Sequence, residues 1–318
     1  MYSRTFVFSK TDEKVNTDCL VEEIRFREEV PRIGNYEIGM ELTGSGTVVV
    51  YTDTGKLVYK HDMIGRETIN GSFSLNVCDV IPEGMKCLYE KRSVDIRIHG
   101  EELELHRITI KQAKCPTLYA VGDAGVTKQS LTEQQDVEVS LMEWGRIFPA
   151  FVEKGVAVSD HVNAGMSMCV FQTEGHYALI QAHLKIGDYL MLQFSREEEK
   201  VPDDASNASY RDSLLRYIDE TRARGAHPIL VTPAEKGKQG VMLECVKADS
   251  DICRELGVRY HVPVVDIQKH SEDTAFGLAG LIVREYKSMF QRAKLDAYSR
   301  LAGALKERVD TLEWHEVS

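Results

Sequence analysis

The sequence predicts two architectures in one chain: an all-β sandwich followed by a five-stranded parallel α/β sheet flanked by helices. Three observations predict this. The apolar period is two up to about Lys114 and changes after it. Short apolar runs then alternate with helical stretches. The length of 318 residues suits two domains, each large enough for a core. The expected division is residues 1–113 and 114–318.

In the first region Tyr36, Ile38, Met40 and Leu42 alternate with polar neighbours. Phe73, Leu75 and Val77 do the same, as do Val94, Ile96 and Ile98, and then Leu103 and Leu105. Gly34-Asn35, Asp53-Thr54-Gly55, Asn70-Gly71 and His99-Gly100 punctuate these runs, as turns between half-buried antiparallel strands do. Gly44-Ser45-Gly46 lacks a following Lys-Ser/Thr and reads as a strand turn, not a phosphate loop. The aromatic residues here read as core or interface filling before they read as a sugar-stacking platform.

In the second region the strand candidates are 117–121, 156–159, 189–194, 228–232 and 262–267. Tyr210, Leu214, Tyr217, Ile218 and Thr221 fall at helical spacing, with Gly225 as the stop. Leu295, Tyr298, Ala302, Leu305 and Val309 mark a last helix. In such open sheets ligands sit beyond the carboxyl ends of the strands. The residues to inspect are therefore Gly122-Asp123-Ala124, Asp160 to Ser167, Ser195 to Glu198, and Asp296 to Ser299.

Lys and Arg number 39 and Asp and Glu 50, a formal charge of −11. That balance argues against nucleic-acid and membrane-surface partners. No apolar run approaches the roughly 20 residues of a membrane span. The N-terminus lacks the apolar core of a signal peptide, and the seven scattered cysteines have no zinc-ligand spacing. Free thiols in a reducing cytoplasm, mostly small and buried, are the expectation, with no metal and no cofactor. Oligomeric state is not legible.

The segment Tyr119-Ala120-Val121-Gly122-Asp123-Ala124-Gly125-Val126 resembles the first block of the SGNH/GDSL hydrolases, in the rhamnogalacturonan acetylesterase-like branch. Ala164-Gly165-Met166-Ser167 with Glu174-Gly175 is similar to the second block. Gly187 to Phe194 resembles the strand before the third block, and His227 to Pro233 the strand ending Leu-Val-Thr-Pro. The likeness runs from about 117 to 309, about three-fifths of the chain. It implies a flavodoxin-like sheet, and the β-rich region looks like the jelly-roll module preceding some members.

The resemblance also implies acyl transfer by a Ser nucleophile, an oxyanion hole and an Asp-x-x-His pair. Carried over, the nucleophile position holds Ala124, the oxyanion Asn position Glu197 and the base position Ser299. Gly165, at the oxyanion-hole glycine, and Asp296, at the triad aspartate, remain. A methyl group cannot attack a carbonyl, serine is no base near neutrality, and a carboxylate opposes a forming oxyanion.

The other candidates have plainer readings. Asp123 reads first as a turn cap and second as a retained carboxylate. His161 reads first as a hydrogen-bonded structural residue and second as a displaced base. Asn163 shares its loop as a candidate ligand contact. Ser130 and Ser167 are candidate substitute nucleophiles, and Cys169 reads as helical and buried. Glu197, Asp123 and Asp296 form an acidic cluster only if their loops converge.

Three functions stay open. One is a degenerate relative that still binds a carbohydrate or acylated small molecule. The second is an active carbohydrate esterase with a site rearranged around His161. The third is a structural or partner-binding protein.

Overall fold

The computed structural model describes residues 1–8, 23–52, 55–81, 87–123, 148–152, 155–163, 166–196, 202–233 and 240–268. Among the described residues eleven strands form one mixed sheet. The antiparallel strands are β1 (Ser3–Val7), β2 (Glu23–Glu29), β3 (Gly34–Thr52), β4 (Leu57–Asp62), β5 (Glu67–Val77) and β6 (Ser93–Gln112). The parallel strands are β7 (Thr117–Asp123), β8 (Ala157–Asn163), β9 (Tyr189–Gln193), β10 (His227–Val231) and β11 (Val264–Val265). Helices α1 (Met168–Thr173), α2 (His176–His183), α3 (Asp204–Ala223) and α4 (Val241–Tyr260) accompany them.

The antiparallel half is built on two long strands. β3 and β6 pair along almost their whole lengths. β5 and β1 flank the first part of β3 and the last part of β6. β4 and β2 flank the remaining parts. The register shifts at Glu41/Leu42, Thr43/Ser45 and Ser45/Val49, so the ribbon is creased at the Ser45–Glu101 pair. Gly46 has φ +67° and Glu102 φ +51° at this crease. Gly44 to Gly46 and His99-Gly100 are therefore bends inside continuous strands, not the expected turns. Bends and turns ask for the same residues, so composition does not separate them. The two parts share one core, with Ile38, Ile110, Val50 and Ile98 fully buried.

The sheet runs on across the boundary expected near residue 113. β5 meets β8 in parallel through Leu75 and Val158, which joins the two halves into one sheet. From there the order is β8-β7-β9-β10-β11, all parallel. The result is an α/β fold with a mostly parallel central part. Alternate residues face two cores. Tyr119, Val121, Leu190 and Leu192 pack with α1 to α4. Leu118, Ala120, Met191 and Val231 pack with the short 3-10 turn Phe148–Phe151. Among the described residues the α-helices cover one face. The last helix expected around Leu295 to Val309 lies outside the described residues.

Candidate functional site at the carboxyl ends of the parallel strands

Strand register brings the carboxyl ends together. Asp123 of β7 is opposite Asn163 of β8, and Gly122 is opposite Gln193 of β9. Leu192 of β9 pairs Leu230 of β10, and Val231 pairs Val265 of β11. The loops that follow these residues leave from one end of the sheet. Gly122 is needed there. A Cβ at this position would stand 1.9 Å from the Gln193 carbonyl oxygen, a backbone atom that cannot move aside.

Ala124, Gly165, Glu197, Asp296, Ser299 and Ser130 lie outside the described residues. For Asp123 and Asn163 the backbone is described and closes the β7–β8 ladder.

His161 sits on β8 at this end and is buried. Its Nε2 is 2.9 Å from the Ser159 hydroxyl, which is 3.3 Å from the Cys78 thiol. Desolvation, aided by the positive field of Lys56 and of His176 and His183, pushes its pKa down to about 3. A neutral ring can accept the Ser159 O–H at Nε2. On the neighbouring residue, Lys56 Nζ donates to the Asp160 carbonyl at 2.7 Å and lies 3.3 Å from its carboxylate. The antiparallel half thus touches the carboxyl end of β8.

Two further carboxylates fix the loops here. Asp249 of α4 is fully buried and accepts from the Arg196 backbone N–H at 2.9 Å and from Arg196 Nε at 2.7 Å. Arg196 also donates to Asn207 at 2.8 Å, and its guanidinium lies 5.0 Å from the Tyr210 ring centre. This clamp holds the chain where it leaves β9, immediately before Glu197. Thr232, after β10, accepts from the Ile267 and Gln268 backbone N–H groups and donates to Asp266 at 3.2 Å. Burial works against the Asp266 carboxylate, yet Arg254, with Nε at 2.9 Å, holds its pKa below the usual range.

Ser167 caps α1, accepting from the Val170 N–H at 3.3 Å. Cys169 is helical as expected but exposed, because it points away from the buried Phe171 side of α1. Of the other described cysteines, Cys245 and Cys253 are buried, Cys78 and Cys115 half-buried and Cys87 exposed, all free. Among the described residues no group of three His, Cys, Asp or Glu could hold a metal, and no helix is long and apolar enough to cross a membrane.

The clamp Arg196–Asp249 was not read from the sequence. A signal existed. Cys245, Asp249, Ile252 and Leu256 are i, i+4, i+7 and i+11, so Asp249 stands in the apolar stripe of α4.

A separate cavity of about 510 Å³ lies at the opposite, amino end of the parallel strands. Asn35, Asn76, Cys78, Thr117 and Asp188 line it. Asp188 accepts from the Thr117 and Lys185 N–H groups, and burial raises its pKa.

No family model matches the chain. It is 29% identical over 133 residues to the rhamnogalacturonan acetylesterase RhgT of Bacillus subtilis (strain 168), covering 41% of this chain and 57% of that protein. It is 22% identical over 160 residues to the probable rhamnogalacturonan acetylesterase YesY of the same organism, covering 48% of this chain and 71% of that one. The chain spans little more than half the length of the first of these relatives. The crystal structure of the Bacillus subtilis protein YxiM aligns over 84% of this chain and 80% of its own, at 18% identity and a TM-score of 0.45.

Proposed function

We propose that this chain, related by sequence to the SGNH/GDSL esterases, is a carbohydrate-esterase-like protein whose ester-cleaving site is degenerate and which binds a glycan or an acylated ligand. The observation that carries the reading is Ala124. It follows Asp123, the last residue of β7, at the position where the resemblance places the nucleophile. Glu197 and Ser299 replace an oxyanion donor and the base by the same alignment. Loss of three separate roles removes the covalent route, because triad members act as a unit. In this reading residues 1–113 form a jelly-roll-like accessory module and 114–318 the esterase-like domain. A reducing, cytoplasmic setting fits the free cysteines.

The Ser159–His161 pair favours a second reading, an active hydrolase with a rearranged site. Burial of both groups and the low basicity of the imidazole put it behind the first.

The test is turnover of p-nitrophenyl acetate and of an acetylated pectin fragment. Wild type is expected to be inactive, and Ala124→Ser alone to recover little. Ala124→Ser with Ser299→His should turn over measurably, since the resemblance puts Asp296 at the position of the aspartate that orients the imidazole. Adding Glu197→Asn should raise the rate about 10²–10³-fold, the worth of one oxyanion donor. Wild-type turnover lost in His161→Ala would select the second reading.

A further inference from the structure

We propose that the cavity at the amino end of the parallel strands binds a small zwitterion, an amino acid or a dipeptide, with its ammonium group inward and its carboxylate at the mouth. This site is separate from the candidate site at the carboxyl ends and does not rest on the esterase reading.

Both halves of the sheet build the cavity. Asn35 of β3 and Asn76 of β5 come from the antiparallel half. Thr117 of β7 and Asp188, just before β9, come from the parallel half. The volume of about 510 Å³ falls within the roughly 300–1,000 Å³ of small-molecule sites.

Two acceptors on this cavity lack a donor. Asn35 spends both amide hydrogens, on the Cys115 carbonyl at 2.8 Å and on the Thr117 hydroxyl at 3.0 Å. Its oxygen must therefore face Asn76, whose Nδ2 donates to it at 2.6 Å. That fixes the Asn76 amide and leaves its Oδ1 buried with no hydrogen-bond partner. An orphaned buried acceptor calls for a missing donor.

Asp188 is the second. Its carboxylate is buried, and its two oxygens accept one backbone N–H each, from Thr117 at 2.8 Å and Lys185 at 2.9 Å. A carboxylate has room for about four such bonds. Asp188 has no cation within ion-pair distance among the described residues. The two N–H bonds and the more distant field of the Lys185 ammonium do not offset its burial, so its pKa stays above the usual carboxylate value. A buried carboxylate and an orphaned carbonyl oxygen on one cavity ask for the same thing, a cation carrying several N–H donors.

The mouth has the opposite character. Lys114 and Lys185 line the cavity and are exposed. His183, Tyr119 and the Cys78 and Cys115 thiols complete its titratable lining. A simple amine would have to pass two ammonium groups, and a simple acid would meet the Asp188 carboxylate. A zwitterion answers both, with its cation at Asp188 and Asn76 and its anion at the lysines.

The probes are alanine, alanyl-alanine, their N-acetyl forms and their C-terminal amides, each at about 10 mM, which fills most of a millimolar site. At least one free zwitterion should raise the unfolding temperature by about 2 °C or more, and the pair tells amino acid from dipeptide. N-acetylation and amidation should each weaken binding at least about tenfold, because each removes a charge-assisted contact. Lys114→Ala with Lys185→Ala changes two exposed side chains and should weaken binding about tenfold. Asp188→Asn should abolish binding. Because Asp188 also anchors two backbone N–H groups, the lysine variant and the capped probes decide the matter if Asp188→Asn does not fold. Alkylation of half-buried Cys115, read by mass spectrometry, should slow when the ligand is bound, while the exposed Cys169 reacts as before. No shift with either zwitterion, or a capped form or lysine variant that binds within about twofold of its parent, would overturn the inference. So would a folded Asp188→Asn that still binds, or a Cys115 that the ligand does not protect.

Discussion

The two halves of the sheet bury different chemistry. In the antiparallel half the core is aliphatic and aromatic, and Asn35, Thr52 and Ser93 are its buried polar residues among those described. In the parallel half His161, Asp188, Gln193, Ser195, Thr232 and Asp249 are all buried, most of them at strand ends. The difference follows from how each half is covered. An antiparallel ribbon with one wet face sorts apolar from polar residues by alternation. A parallel strand covered on both faces cannot, so its polar groups gather where it stops and must be bonded there.

The contrast is broken most directly at Asp249. Asp249→Ala strands Arg196, whose side chain is 11% exposed, and should cost about 3–5 kcal/mol in urea unfolding. The matching change in the other half is Glu41→Ala, which removes the solvent-facing partner of Arg107 and should cost under about 1 kcal/mol. Equal losses would show that the two halves do not differ in this way.

His161 sharpens the contrast through pH. Its folded pKa of about 3 lies below the ordinary histidine value, so the unfolded chain binds the proton more readily. Its contribution is therefore complete above about pH 6.5 and is lost as pH falls toward 3, at about 1.4 kcal/mol per unit. Unfolding at pH 7, 6 and 5 should show a shallower acid slope in His161→Gln than in wild type. His176 and His227, also depressed by burial, add to the slope that remains.

The smallest effect belongs to the antiparallel core. Ile98→Val removes one methylene group from a fully buried position and should cost about 1 kcal/mol, with no dependence on pH. A pH-dependent loss there would mean that the two halves share an electrostatic network.

The same contrast explains what the sequence made legible. Tyr36 to Leu42 and Val94 to Ile98 could be read as strands because each second residue enters the core. The parallel strands could be read from short apolar runs, and β7, β9 and β10 start within a residue of expectation. The crease could not be read, since Gly44, Gly46 and Gly100 signal a turn and a bend alike. The joining of the halves through Leu75 and Val158 leaves no local trace at all. Near the candidate site, single residues such as Asp160 and Arg196 were visible, but their partners Lys56 and Asp249 are 104 and 53 residues away. Pairings at that distance are decided by topology, which no local pattern encodes.

The crease has a consequence for biosynthesis. One part of the folded ribbon needs β1, β5, the start of β3 and the end of β6; the other needs β2, β4, the end of β3 and the start of β6. The second cannot close on the ribosome until His99 has emerged, and the first not until Gln112 has, because β6 is an inner strand of both. The first hundred residues therefore travel out as a set of hairpins with open edges, and β1 waits for a partner about a hundred residues downstream.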